Sequence, residues 1–295
     1  MSQLAIRNGN PIRTQPFPAW PVVDQNDERA LLDVLRSGTW GRHQGKQTLA
    51  FEAAFAEYCQ TRFCIGVVNG TVALRLAVLA AGLEAGDEVI VPPYTFISTA
   101  SAVLEANGVP VYVDIDPDTY NLDPAKIEAA ITPRTRAIIP VHFAGLACDM
   151  ARINSIARRH NLVVIEDAAH AHGAEFQGRR TGGLGDMGCF SFQASKTLTS
   201  GEGGAITTSA EGYERIARSL HTVGRFPGGQ WYEHHLIGGN YRMSEFQGGL
   251  LLSQLARLDE QIERRERNAQ YLDERLGAVP GIRPLKRGVG ETRHG

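Results

Sequence analysis

Cys189-Phe190-Ser191-Phe192-Gln193-Ala194-Ser195-Lys196-Thr197-Leu198-Thr199-Ser200-Gly201-Glu202-Gly203-Gly204 is an apolar, strand-like run that hands one lysine to a glycine-rich turn. The chain has only four lysines, Lys46, Lys126, Lys196 and Lys286, among 30 basic residues. The other three lie in polar or Gly/Pro-rich surroundings. A lysine held between a buried strand and a tight turn loses its proton readily, because desolvation disfavours the ammonium. That makes an amine nucleophile. A solvated loop lysine is the plainer reading, and the stretch alone leaves both open. The rest of the chain favours the first.

Upstream of this stretch, strand and helix patterns alternate. Strands are expected at 63–68, 88–91, 110–114, 136–141 and 162–165, and helices at 72–81, 98–107, 124–131 and 150–160. Such repetition makes an α/β fold with a mostly parallel sheet flanked by helices. Two further strands, 188–192 and 204–208, flank the lysine turn. A helix at 213–220 follows, then a Gly- and aromatic-rich loop at 223–242. One long helical stretch is expected over 244–276, with Glu260 to Arg267 on its wet face. Helices at 27–36 and 50–58 precede the alternation. Residues 1–25, with Pro11, Pro16, Pro18 and Pro21, read as an extended arm. Residues 277–295 are Pro/Gly-rich and build no further apolar segment.

Bulk properties narrow the function. Net charge is −2 over 295 residues, with 43% hydrophobic and 21% charged residues. Nothing there suits nucleic acid or an anionic membrane. No apolar run reaches transmembrane length, and the N-terminus lacks the apolar core of a signal peptide. Cys59, Cys64, Cys148 and Cys189 fit no zinc spacing and fall in apolar stretches, so they read as reduced core residues of a cytoplasmic protein.

In a parallel sheet, ligands gather beyond the carboxyl ends of the strands. The first strand is followed by Gly70-Thr71 at a helix start, where free N–H groups and a hydroxyl suit a phosphate. The second is followed by Phe96, an aromatic face. The fifth ends at Asp167, a carboxylate, and the lysine-bearing strand ends in Ser191 before Lys196. Phosphate cradle, aromatic plate, carboxylate and lysine are what pyridoxal phosphate needs.

Other motifs weigh less. Gly183-x-Gly185-x-x-Gly188 matches a dinucleotide fingerprint but precedes its strand, so nicotinamide is not expected. Asp167, His170 and His172 lack a third well-spaced ligand group for a metal, and none is expected. His142 suits a structural or supporting role, and Trp20 and Trp40 suit packing or loop anchoring. Arg242 suits either a substrate carboxylate or an interface salt bridge.

Several stretches carry a resemblance. They are Asn69 to Leu74, Gly86 to Pro92, Pro140-Val141-His142, Glu166 to Ala174, Ser191 to Lys196, Gly201 to Gly204 and Gly239 to Glu245. In these the chain resembles the DegT/DnrJ/EryC1/StrS family of sugar and cyclitol aminotransferases, from the arm to about residue 285. The resemblance implies a fold-type I, aspartate aminotransferase-like large domain that binds pyridoxal 5'-phosphate. It places that domain at 26–276, with 277–295 opening a smaller C-terminal domain that this chain does not continue. Lys196 would be the Schiff-base lysine and Asp167 the partner of the ring nitrogen. Phe96 would stack on the ring, and Gly70, Thr71 and Ser191 would hold the phosphate. His170 would contact the cofactor, and Asn240 would reach the phosphate of a neighbouring subunit, in a homodimer with shared active sites.

Some relatives carry His at the lysine position and act as dehydratases, so Lys196 favours transamination. The expected reaction moves an amino group from glutamate or glutamine to a keto-sugar or keto-cyclitol, as in amino-sugar and antibiotic biosynthesis. The alternatives are an aminohydroxybenzoate synthase-like dehydratase and aromatase, since Ser191-Phe192-Gln193 and Ala168 to Gly173 resemble those enzymes, or a non-catalytic cofactor-binding regulator or remnant.

Overall fold

A computed structural model describes residues 4–288, 290–293 and 295, and the backbone alone at 292. Residues 1–3 of the expected arm, and 289 and 294 of the expected C-terminal stretch, lie outside the described residues. A seven-stranded sheet forms the centre. Its strands are β1 (Phe63–Val67), β2 (Glu88–Val91), β3 (Val109–Tyr112), β4 (Thr135–Ile138), β5 (Val163–Asp167), β8 (Met187–Ser191) and β9 (Gly204–Thr208). The order is β1-β9-β8-β5-β4-β2-β3, and only β9 runs against the rest. The expected mostly parallel α/β sheet is therefore present, and β8 and β9 pair antiparallel across the lysine turn.

Helices cover both faces. On one lie α3 (Gly70–Ala80), α4 (Ser98–Glu105) and α7 (Glu211–His221), over Ile65, Val67, Val89, Val91 and Ile206. On the other lie the short α5 (Pro124–Ile127) and α6 (Met150–His160), over Ile90, Ile138 and Val164. This second face continues under α2 (Gln47–Tyr58), α8 (Glu245–Leu255) and α9 (Leu258–Gly277). Here Phe55 meets Phe190 and Phe192 edge-to-face at 4.9 and 5.5 Å between ring centroids. Each such fully buried ring contributes about 1.5–3 kcal/mol. Because these rings sit beside the lysine turn, the core fixes the ends of β8 and β9.

α1 (Gln25–Ser37) starts at a capping box: Asp24 accepts from the Asn26 and Asp27 N–H groups, and Asp27 accepts from Asp24 N–H. The helix expected over 244–276 is two helices, broken at Ala256 and Arg257. The Arg257 guanidinium is drawn onto Asp24, Asp27 and the Val22 carbonyl, and the turn aims Leu258 and Ile262 into the aromatic cluster. Three short strands lacked a legible pattern. β6 (Glu175–Phe176) and β7 (Arg179–Arg180) form a hairpin, and β10 (Glu291–Arg293) pairs with β6, so residues 277–295 do contain a strand. Two- and three-residue strands are too short to show alternation. Among the described residues, no helix is long and apolar enough to cross a membrane. All four cysteines are free and buried.

Candidate active site

The carboxyl ends of β1, β2, β5 and β8 open into one cavity of about 720 Å3. Gly70, Thr71, Phe96, Asp167, His170, Ser191 and Lys196 all line it. These residues span 127 positions (196 − 70 + 1) and meet because their strands are neighbours or near neighbours in the sheet.

One wall is a cradle. The first N–H groups of α3 have no intrahelical acceptor, and the Asn69 side chain takes only that of Val72. A Cβ on Gly70 would lie 2.8 Å from Ser191 Cβ, so only glycine lets the helix start approach β8 this closely. Thr71 Oγ1 lies 2.6 Å from Ser98 Oγ, at the start of α4. Hydroxyls and free N–H groups at a helix N-terminus suit a phosphate.

Asp167 ends β5, nearly buried, with its carboxylate in the cavity. Oδ2 accepts from Thr99 Oγ1 at 2.7 Å, and Oδ1 from Ala169 N–H at 3.2 Å. The half-buried Lys196 amine is pushed below the ordinary lysine range by burial, which the Asp167 charge opposes. His170 lines the mouth and is pushed below the usual histidine range by burial, then by Lys196. Phe96 is mostly exposed where it lines the cavity. A carboxylate, an amine of lowered pKa, an aromatic face and a phosphate-sized cradle in one cavity fit pyridoxal phosphate.

Asn240 and Arg242 do not line this cavity. Asn240 is exposed, and Arg242 donates to Thr222 Oγ1 at 3.1 Å, in a separate hollow. Trp20 and Trp40 are loop anchors: Trp20 Nε1 donates to the Ala194 carbonyl, and Trp40 Nε1 to that of Leu35.

Behind Asp167, the dinucleotide look-alike has another use. Fully buried Glu166 accepts from the Gly182, Leu184 and Gly185 N–H groups, each at 2.7 Å. A Cβ on Gly188 would meet Gly182 Cα at 2.3 Å, and one on Gly185 would meet the Val164 carbonyl oxygen at 2.8 Å. Those glycines wrap a loop around a carboxylate. His142 supports the same group: its Nδ1 accepts from Cys148 N–H, so Nε2 carries the proton toward Glu166, 2.9 Å away. His172 is buried beside Phe190 and Phe192, and its Nε2 donates to the Ser191 carbonyl. Burial, then Lys196, lowers its pKa to about 3, so it is a neutral strut.

Sequence reading missed Thr95 and Thr99. Thr99 lies three residues after Phe96, close to one helical turn, and that spacing was the available signal.

Comparison with known proteins follows the same lines. Residues 21–294 match the DegT/DnrJ/EryC1/StrS aminotransferase family. The L-glutamine:2-deoxy-scyllo-inosose aminotransferase of Micromonospora echinospora is 46% identical over 308 aligned positions, covering 99% of this chain and 73% of that protein. The crystal structure of 3-amino-5-hydroxybenzoic acid synthase superposes with a TM-score of 0.91 at 42% identity, over 95% of this chain and 73% of that one. NtdA from Bacillus subtilis, solved with bound cofactor PMP, superposes with a TM-score of 0.80 at 33% identity, over 86% of this chain and 57% of that one.

Proposed function

Because the chain belongs to the DegT/DnrJ/EryC1/StrS aminotransferase family, we propose that the Lys196 cavity is its catalytic centre and pyridoxal 5'-phosphate its cofactor. The protein is an aminotransferase that moves an amino group from an amino acid to a keto-sugar or keto-cyclitol. L-glutamine is the donor and a 2-deoxy-scyllo-inosose-type cyclitol the acceptor. The meeting of Lys196 and Asp167 in one cavity with the Gly70–Ser191 cradle carries the cofactor and the reaction, and the 46% identity to the Micromonospora echinospora enzyme carries the donor and acceptor.

Bound pyridoxal phosphate would supply an electron sink for the carbon that carries the amino group. The Gly70 and Thr71 N–H groups and the Ser191 hydroxyl bind its phosphate. Asp167 would accept the hydrogen of the ring nitrogen and favour its staying there. Phe96 and His170, which line the same cavity, would contact the ring. Lys196 Nζ would hold the cofactor and would be the base that takes a proton from the donor's α-carbon and returns one on the acceptor side. An amine of lowered pKa suits that task, since it is available as a base nearer neutral pH. The chain works as a homodimer in which Asn240 reaches the phosphate of the opposite site.

Purified protein with pyridoxal phosphate, L-glutamine and 2-deoxy-scyllo-inosose should yield an aminocyclitol by mass spectrometry. No aminocyclitol, with cofactor bound, would refute the substrate assignment. The solved 3-amino-5-hydroxybenzoic acid synthase, at a TM-score of 0.91, favours a second reading, dehydration and aromatisation of a cyclic ketone. An aromatic, ultraviolet-absorbing product from such a ketone would select it.

A further inference from the structure

His172 is fully buried and does not line the Lys196 cavity, yet it reaches the strand end from which that cavity is built. β5 and β8 run parallel as far as Asp167 and Cys189, and Ala168 N–H then donates to the Cys189 carbonyl at 2.9 Å. Phe192 turns its N–H to Gly203 on the β9 side, so the Ser191 carbonyl before it faces the β5 side. β5 offers that carbonyl nothing. The chain leaves the sheet in a turn closed by Ala171 N–H on the Ala168 carbonyl. His172 Nε2 stands in for the missing strand, 2.9 Å from the Ser191 carbonyl oxygen.

Packing alone does not call for an imidazole here. The ring lies beside Phe190 and Phe192, with centroids 5.6 and 5.8 Å away. A phenyl ring would suit those neighbours and leave no polar atom to satisfy. The imidazole instead buries Nδ1, which has no partner among the described residues, and such burial is unfavourable. What it gains is the N–H on Ser191. Burial, then Lys196, keeps the ring neutral, so it has one N–H to give.

The place of Ser191 matters because the cradle has no slack. A Cβ on Gly70 would lie 2.8 Å from Ser191 Cβ, 3.2 Å from its Cα and 3.3 Å from the Phe190 carbonyl oxygen. Past Ser191, each carbonyl as far as Ala194 has its own donor. Phe192 takes the Thr199 hydroxyl at 3.0 Å, Gln193 the Lys196 N–H at 2.9 Å, and Ala194 the Trp20 indole at 3.1 Å. His172 supplies the brace at the strand exit. We propose that His172 is a positioning residue: its N–H fixes the Ser191 carbonyl, and thereby where Ser191 presents its hydroxyl to the phosphate. This rests on the reading above, in which Gly70, Thr71 and Ser191 hold the phosphate of pyridoxal phosphate.

The test compares pyridoxal phosphate with pyridoxal, which lacks the phosphate, by absorbance titration of the full chain without substrates. Wild type should prefer pyridoxal phosphate. His172→Phe keeps a ring and removes the donor. Its preference should fall at least about tenfold, while the urea midpoint stays near that of wild type. His172→Gln returns a donor and should recover most of the preference. In a Ser191→Ala background, His172→Phe should change the preference by less than about twofold, because its effect runs through Ser191. A His172→Phe protein with the wild-type preference overturns the proposal. A loss that falls equally on both aldehydes also overturns it, since it marks His172 as a packing residue. So does a folded His172→Gln protein without the preference, and that arm decides alone if the phenylalanine variant does not fold. Wild type that binds both aldehydes alike would instead refute the phosphate cradle on which the proposal stands.

Discussion

Thr99 holds Asp167: its hydroxyl, fully buried, donates to Oδ2 at 2.7 Å. A hydroxyl has one hydrogen, so Thr99 must accept from Thr95, whose Oγ1 lies 2.9 Å away and lines the cavity. Two threonines thus form a relay that orients the carboxylate.

Removing that donor should weaken catalysis without emptying the site. Thr99→Val keeps the shape and deletes the hydroxyl, and a hydrogen bond to a charged group is worth about 1.5–3 kcal/mol. Turnover should fall roughly 10- to 100-fold, the visible band of bound cofactor should change its pH dependence, and Thr99→Ser should restore both. A Thr99→Val enzyme with wild-type spectrum and rate would remove Thr99 from the mechanism.

Lys196 should react with amine-selective reagents at lower pH than the other lysines. Burial lowers its pKa, so at any pH below the ordinary lysine value a larger fraction is neutral amine. Lys126 and Lys286, by contrast, are exposed and paired with Asp114 and Asp118. Peptide mapping of cofactor-free protein labelled across pH 7–10 would read this. A common labelling midpoint for Lys196 and Lys286 would contradict it.

Glu166 is the structural carboxylate of the pair. It takes three N–H groups, from Gly182, Leu184 and Gly185, and faces the buried His142. Glu166→Ala should destabilise the fold by at least about 3 kcal/mol in urea titrations, because it leaves several N–H donors without an acceptor, at about 1–3 kcal/mol for each buried one. A loss under about 1 kcal/mol would mean that the 182–188 loop finds other acceptors.

What could be read from the sequence, and what could not, follows from these residues. Strand ends 63–68, 88–91 and 162–165 were legible because largely buried strands are apolar runs with sharp ends, and Gly70, Phe96 and Asp167 stand just past them. Asp167 was legible as the site carboxylate, but the structural role of its neighbour Glu166 was not, since adjacent side chains on a strand point to opposite faces and nothing local names the partners of the hidden one. The partners of Glu166 come from a loop 16 to 19 positions away, and Thr99 reaches Asp167 across 68 positions. The break at Ala256 and Arg257 was hidden for the same reason, because it answers to Asp24 and Asp27 in α1.

Asn240 and Lys196 do not meet in one chain: Asn240 is exposed and outside the Lys196 cavity. If Asn240 serves the opposite site of a homodimer, damage at the two positions segregates in a mixed dimer. One site inherits both lesions and the other neither. Lys196→Ala dimers should be inactive, and Asn240→Ala dimers should bind cofactor weakly. Refolding the two together at equal amounts makes half the dimers mixed, each with one intact site of two. Activity should return to about a quarter of wild type. Should the mixture give only the sum of its parents, Asn240 acts within its own chain or away from the cofactor, and the shared site is lost from the scheme.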